Sequence, residues 1–391
     1  MQHLSAELSQ ELQALEAQGL RRHLTVIEEV HGPLVRIGGR EVVCWCSNDY
    51  LGLSTHPPLA EAASRAAKAW GVGARASRLL AGTTLLHDDL EDALADWFHA
   101  EAAIVYPSGS LANLGTLGAL LSRDDAVIVD ALAHASLLDA ARATRATFRV
   151  FRHNDAAHVE RLLSRVRSRR RRMVVTEGVF SMEGDLAPLT ALLEVTERHG
   201  ALLYLDDAHG AFVLGETGRG SPEAAGVGHD RFLYMGTLGK ALGCQGGFVV
   251  GSRTLIDFLR NRSRAFIYST AMAVPVAAAA REALQVLVRE PERRATLASR
   301  VHRLQERLGS RSHIVPLIMG ESRRALALAA SLWERGCWAP AIRPPTVPKG
   351  TARIRLSVTA LHTEAQIDQL VQVLHDTIPE LAVSTQHTAH R

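Results

Sequence analysis

Apolar positions along this chain switch between two periods, and the switch marks its architecture. Short apolar runs of strand length fall at residues 103–106, 126–130, 172–176, 201–206, 232–235 and 247–251. Between most of them, at 112–121, 156–167 and 187–199, apolar residues recur at helical spacing. Strands separated by helical stretches imply βαβ units and a mainly parallel sheet. Several of the runs are apolar throughout, as in a strand covered on both faces.

The last third changes character. A long helical region, 271–308, is followed by a strand at 313–318, a helix near 322–335, strands at 338–342 and 352–358, and a final helix over 363–377. This predicts a smaller α+β domain after a larger α/β one. The expected division is an N-terminal helix and strand segment over 1–50, a large α/β domain over 51–285, an α+β domain over 286–381, and a polar, mobile tail over 382–391. At the other end, Leu4, Leu8, Leu12 and Leu15 stand among Glu7, Glu11 and Glu16, which predicts a one-sided helix. That stretch has no basic and apolar regions of the kind a signal peptide carries. The most apolar run, 271–280, contains Pro275 and is far shorter than a membrane span. A soluble, cytoplasmic protein is expected.

Composition narrows the classes further. A length of 391 residues suggests two or three structural units. Hydrophobic residues at 47% and charged residues at 22% argue against extensive disorder. Lys plus Arg is 44 and Asp plus Glu is 41, so a formal charge of +3 gives no electrostatic case for nucleic acid. Cys44, Cys46, Cys244 and Cys337 are too scattered for a disulfide scaffold and read as reduced, mostly buried thiols. Arg165, Arg167 and residues 169–172 form a basic cluster between a helix and a strand. It could bind phosphate, but the balanced overall charge favours a solvated turn.

Two glycine-rich stretches imitate nucleotide motifs and fail. Gly71-Val-Gly73-Ala-Arg-Ala76 has alanine at the third glycine position and follows a helical pattern. The stretch 236–240 lacks the glycine spacing of a phosphate loop and has no Ser or Thr after Lys240. More informative is Tyr204-Leu-Asp206-Asp207-Ala-His209-Gly210, which places carboxylates and an imidazole directly after an apolar strand. That is the edge where α/β proteins hold ligands. Alone, the cluster is open to a metal site or a capped strand end. Lys240 changes the weighting. It lies between glycines after another strand, where packing explains it poorly, and lysine is costly to bury. A lysine able to lose its charge can form a Schiff base with an aldehyde. A carboxylate at a strand end and such a lysine are the two groups pyridoxal 5'-phosphate most needs.

With those residues in view, the chain resembles the α-oxoamine synthases of pyridoxal-phosphate fold type I. The resemblance runs in order through SNDYLGL (47–53), His87 to Glu91, Ser108-Gly109, Asp130, HASLL (134–138), TEGVFSMEGD (176–185), DDAHG (206–210) and GTLGK (236–240). It implies the aspartate-aminotransferase-like fold, a mainly parallel seven-stranded sheet in a large domain with a smaller C-terminal α+β domain, and a homodimer. It implies that Lys240 holds the cofactor and later moves the α-proton, that Asp206 pairs with the pyridine nitrogen, and that His209 bonds the ring oxygen. It implies that His134 stacks on the ring, with Ser181 and Glu177 beside ring and substrate. Thr237 and the backbone of Gly109 and Ser110 would bind the phosphate, favoured by a helix N-terminus after Ser108. Arg355 would hold the amino-acid carboxylate, Asn48 would lie near it, Thr346 would touch substrate, and Arg21 would meet a distal acyl carboxylate. No metal is expected.

Within the family, AIRPPTVP (341–348) and GTARIRL (350–356) resemble the biotin-pathway branch, which joins L-alanine to a pimeloyl thioester of CoA or an acyl-carrier protein. The rival is a sister synthase using glycine, such as 2-amino-3-ketobutyrate ligase. A second rival, from another class, is a cofactor-binding protein with no turnover or a metal hydrolase built on DDAH. The family pattern is broken at Ser110-Leu111, where a bulky residue is usual, and at Ala76, where glycine is expected.

Overall fold

The computed structural model describes residues 2–378, so the 382–391 tail lies outside the described residues. A seven-stranded sheet organises the larger unit: β1 (Ala102–Tyr106), β2 (Ala126–Asp130), β3 (Thr147–Phe151), β4 (Arg172–Glu177), β5 (Leu202–Asp206), β6 (Leu233–Thr237) and β7 (Gly247–Gly251). Their spatial order is β1-β7-β6-β5-β4-β2-β3. Strands β2 to β6 pair in parallel, and β7 runs antiparallel to both β1 and β6. The carboxyl ends of β2, β4, β5 and β6 therefore share one edge. Ile104, Val127, Val129, Val175 and Tyr204 are fully buried in one apolar cluster with helices on the sheet. Each such side chain is worth roughly 1.5–3 kcal/mol of burial.

Six of the seven strands fall where the apolar runs predict them. The seventh, β3, does not come from the pattern: it is the edge strand TFRVF, with Arg149 and Val150 exposed. The long helical region 271–308 is two helices, Val274–Arg289 and Glu292–Leu308, broken around Pro291. Arginines of the basic cluster turn to structure. Arg170 pairs with Asp125 at 2.8 Å, and Arg171 donates to the Leu120 carbonyl at 2.7 Å.

Two compact units are present among the described residues: 48–181 with 185–295, and 2–47 with 182–184 and 296–378. In the smaller unit Ala352–Ser357 is the centre of a three-stranded antiparallel sheet, flanked by Ile314–Gly320 and Ala341–Ile342. The expected strand over 338–342 is split by Pro340. Cys337–Trp338 joins Arg40–Cys44 in a second sheet, and Ala341–Ile342 joins Ala352–Ser357. The N-terminal helix forms over Gln2–Ala17, with its four leucines 40–49% exposed. All four cysteines are free; Cys44 and Cys337 are buried, Cys46 and Cys244 half-buried. No helix among the described residues is long and apolar enough to cross a membrane.

Candidate active site

Strand β5 delivers the acidic pair into a tight turn. The Asp207 carbonyl accepts from the backbone N–H groups of Gly210 (3.1 Å) and Ala211 (2.8 Å), so the chain reverses directly beyond Asp206. Asp206 is nearly buried. Its Oδ1 accepts from the Ala208 N–H at 3.0 Å and its Oδ2 from the Asn113 amide at 2.8 Å. Asp207 points the other way, into the protein. Its carboxylate accepts from Ser221 Oγ (2.5 Å), the Ser221 N–H (2.8 Å) and the Tyr234 hydroxyl (2.9 Å). Three glycines close around it: a Cβ added at Gly178, Gly210 or Gly220 would stand 2.0–2.2 Å from its oxygens. Burial pushes the Asp207 carboxyl up to about 7 against those donors.

Neighbouring strand ends complete a cleft of roughly 240 Å³. Its walls carry Gly109, Ser110, Asn113, His134, Ser136, Glu177, Asp206, His209, Thr237 and Lys240. Glu177, at the end of β4, is buried and accepts from the His134 backbone N–H at 2.5 Å. Burial first, and the Asp206 charge second, push its carboxyl well above the usual range, while Lys240 works in the opposite direction. Helix Gly109–Leu120 begins at the cleft, and the Ser108 side chain caps it by accepting from the Leu111 N–H. Close approach is needed here: a Cβ on Gly247 would lie 2.6 Å from the Gly109 Cα. Thr237 ends β6, where its hydroxyl donates to the Gly246 carbonyl at 2.7 Å and accepts from the Gly239 N–H. Lys240 follows in a turn closed by the Gly243 N–H on its carbonyl. Gly243 has φ +63°, and a Cβ there would meet the Ser54 nitrogen at 2.3 Å.

Eight of the expected residues thus converge: Gly109, Ser110, His134, Glu177, Asp206, His209, Thr237 and Lys240. Asn48 connects to the site through Tyr50, whose hydroxyl lies 3.1 Å from Asn48 Oδ1 and 2.6 Å from His209 Nδ1. Ser181 belongs to the same unit as the cleft. Its loop is held by His153, which sits 2.9 Å from both Asp130 and Asp185. Burial opposes charge on that ring, but the two carboxylates win and push it up to about 10. Arg21, Thr346 and Arg355 lie in the smaller unit. Arg355 is buried on Ala352–Ser357. Arg21 is 3.5 Å from Glu16, and it is Arg22 that reaches Thr346, with Nη2 donating to the Thr346 hydroxyl at 2.9 Å. Sequence reading missed Asn113, Ser136 and Tyr50. The one available signal was a lone asparagine in the otherwise apolar, small-residue helix 109–120.

The donor set fits pyridoxal phosphate: a helix N-terminus for the phosphate, a carboxylate for the ring nitrogen, a lysine for the aldehyde carbon and an imidazole for the ring. Among the described residues, no three His, Cys, Asp or Glu side chains gather as metal ligands.

Comparison with known proteins gives the family. The family model "Aminotransferase class I and II" matches residues 40–374. An 8-amino-7-oxononanoate synthase from Anaeromyxobacter dehalogenans is 48% identical, covering 95% of this chain and 95% of the relative. One from Herminiimonas arsenicoxydans is 44% identical over 94% of this chain and 98% of its own. Among solved structures, a serine palmitoyltransferase from S. paucimobilis with bound PLP–myriocin aldimine superposes with a TM-score of 0.91 at 31% identity, covering 96% of this chain and 98% of that one. The chain therefore belongs to the class I and II aminotransferase family and, within it, groups with the 8-amino-7-oxononanoate synthases.

Proposed function

We propose that this chain is a pyridoxal-phosphate-dependent C-acyltransferase that joins L-alanine to the pimeloyl group of a thioester, of CoA or an acyl-carrier protein, and releases the free thiol and carbon dioxide. The observation that carries it is Lys240 and Asp206 in one cleft, in a chain 48% identical to an 8-amino-7-oxononanoate synthase. When bound, the cofactor supplies an electron sink for carbanion charge beside the amino-acid α-carbon. Asp206, fixed by Ala208 and Asn113, holds the proton on the ring nitrogen. The Lys240 amine takes the α-proton. His134 orients the thioester carbonyl, Glu177 holds the His134 backbone in place, and Arg355 binds the amino-acid carboxylate. The helix at Gly109 and Ser110, with Thr237, receives the phosphate.

The chain acts as a homodimer in this reading, in the cytoplasm. The half-exposed leucine face of Gln2–Ala17 supports an apolar surface that a second copy would cover. The test is a product assay on purified protein with added cofactor, crossing alanine, glycine and serine with pimeloyl-CoA and pimeloyl carrier protein. Alanine with a pimeloyl donor should give 8-amino-7-oxononanoate, carbon dioxide and the free CoA or carrier-protein thiol. Turnover with glycine alone would move the chain to the sister ligase, and no cofactor absorbance would overturn the assignment of Lys240.

A further inference from the structure

Asn113 lies at the meeting point of the two sides of the cleft. It is buried, and its amide nitrogen is 2.8 Å from Asp206 Oδ2 and 3.0 Å from Ser136 Oγ. Its amide oxygen is 2.8 Å from the fully buried Tyr204 hydroxyl. Ser136 then meets His134 twice at one atom: Oγ is 2.8 Å from Nδ1, and the Ser136 backbone nitrogen is 3.2 Å from it.

Donor and acceptor chemistry leaves one order for these bonds. A carboxylate accepts only, so the Asn113 NH2 faces Asp206, and its oxygen is left to accept from Tyr204. The second amide hydrogen goes to Ser136 Oγ, which must place its own hydrogen elsewhere. A backbone N–H can only donate, so Nδ1 of His134 is an acceptor and takes the Ser136 hydroxyl hydrogen as well. The proton of a neutral His134 then sits on Nε2. That atom has no partner among the described residues, and His134 lines the cleft.

We propose that Asn113 is a positioning residue: through one ordered chain of donors it holds Asp206 in place and fixes His134 as the tautomer protonated on Nε2. His134 therefore meets an acyl carbonyl as a hydrogen-bond donor and not as a base. The inference rests on the pyridoxal-phosphate reading above only for what the two side chains face; the bond order stands on the protein atoms alone.

The deciding measurement is long-range nitrogen–proton correlation NMR on the holoenzyme carrying ¹⁵N-histidine, with the His134 signals assigned by their loss in His134→Gln. The expected result is an unprotonated Nδ1 and a protonated Nε2. A proton on Nδ1 in the unsubstituted protein overturns the proposal without any further variant. In Asn113→Leu, cofactor affinity measured by titrating apoprotein should fall about ten-fold or more, the size of one lost bond to a charged group. The His134 tautomer should also become mixed. Ser136→Ala should mix the tautomer while lowering cofactor affinity less than Asn113→Leu does. If Asn113→Leu lowers only the melting temperature, leaving tautomer and affinity unchanged, the residue is structural and the proposal fails. Absence of cofactor binding by the unsubstituted protein would sink the functional reading yet leave the tautomer result to be read in apoprotein.

Discussion

Asp207 sets burial against hydrogen bonding in a way that stability measurements can separate. Three donors favour its ionised form, yet complete burial among Gly178, Gly210 and Gly220 pushes the carboxyl from its ordinary 3.8 to about 7. In the unfolded chain this group ionises near the ordinary value. Between the two values the native state keeps a proton that the unfolded state has released, so stability must fall as pH rises through that window. At about 1.36 kcal/mol per pKa unit, the stability lost relative to low pH is about 2 kcal/mol near pH 5 and about 4 kcal/mol above pH 8. Asp207→Asn does not titrate, and its amide can satisfy the same site. The amide oxygen takes the Ser221 N–H and the Tyr234 hydroxyl, and the amide nitrogen donates to Ser221 Oγ, which is where the Asp207 oxygens find those groups. Urea unfolding of both proteins, at fixed protein and cofactor concentration, should show Asp207→Asn gaining about 2–3 kcal/mol on the unsubstituted chain between about pH 5 and pH 8. A stability difference that does not change with pH, or that changes the other way, would refute the argument that burial outweighs the three donors.

Other consequences are more direct. Lys240→Ala should fold with an unchanged far-ultraviolet circular dichroism spectrum but lose the visible absorbance of bound cofactor and about 10³-fold or more of its turnover; retained turnover would remove Lys240 from the chemistry. Arg355→Ala should raise the amino-acid KM about ten- to hundred-fold with a smaller change in kcat, and steady-state kinetics with varied alanine would show it. The Asp130–His153–Asp185 clamp stabilises the charged ring, so its contribution is full below about pH 6.5 and is lost as pH climbs towards 10. Denaturation of the unsubstituted chain and His153→Gln should converge across that interval, and a constant gap would contradict the clamp.

Much of the fold and the main groups of the cleft were legible along the chain, because both are written in short segments. Six sheet strands are continuous apolar runs, the pattern that burial on both faces of a sheet demands. Lys240 between glycines and Asp206 at a strand end announce themselves because a charge in an apolar setting needs a reason. Strand β3 was not legible: an edge strand has one face in water, and TFRVF carries Arg149 where a core strand would carry a hydrophobe. Nor was the separation of Cys337–Trp338 from Ala341–Ile342 into two sheets, since Pro340 signals a break but not which strands each half will join.

The polar contacts of the site divide in the same way. Residue types and spacing within DDAHG and GTLGK single out the groups proposed to meet the cofactor, because each motif presents its groups from the end of one strand, β5 or β6. Asn113, Ser136, Tyr204 and Tyr50 gain their roles only when helix 109–120, the start of helix Ala135–Ala143, strand β5 and the segment 48–50 are brought together. A hydrogen bond needs two partners within about 3 Å, and here they are 23 to 159 residues apart. The sequence by itself determined which groups are present and which strand ends carry them. Only the tertiary structure decided which polar atoms face one another, and with that the orientation of Asp206 and the proton position on His134.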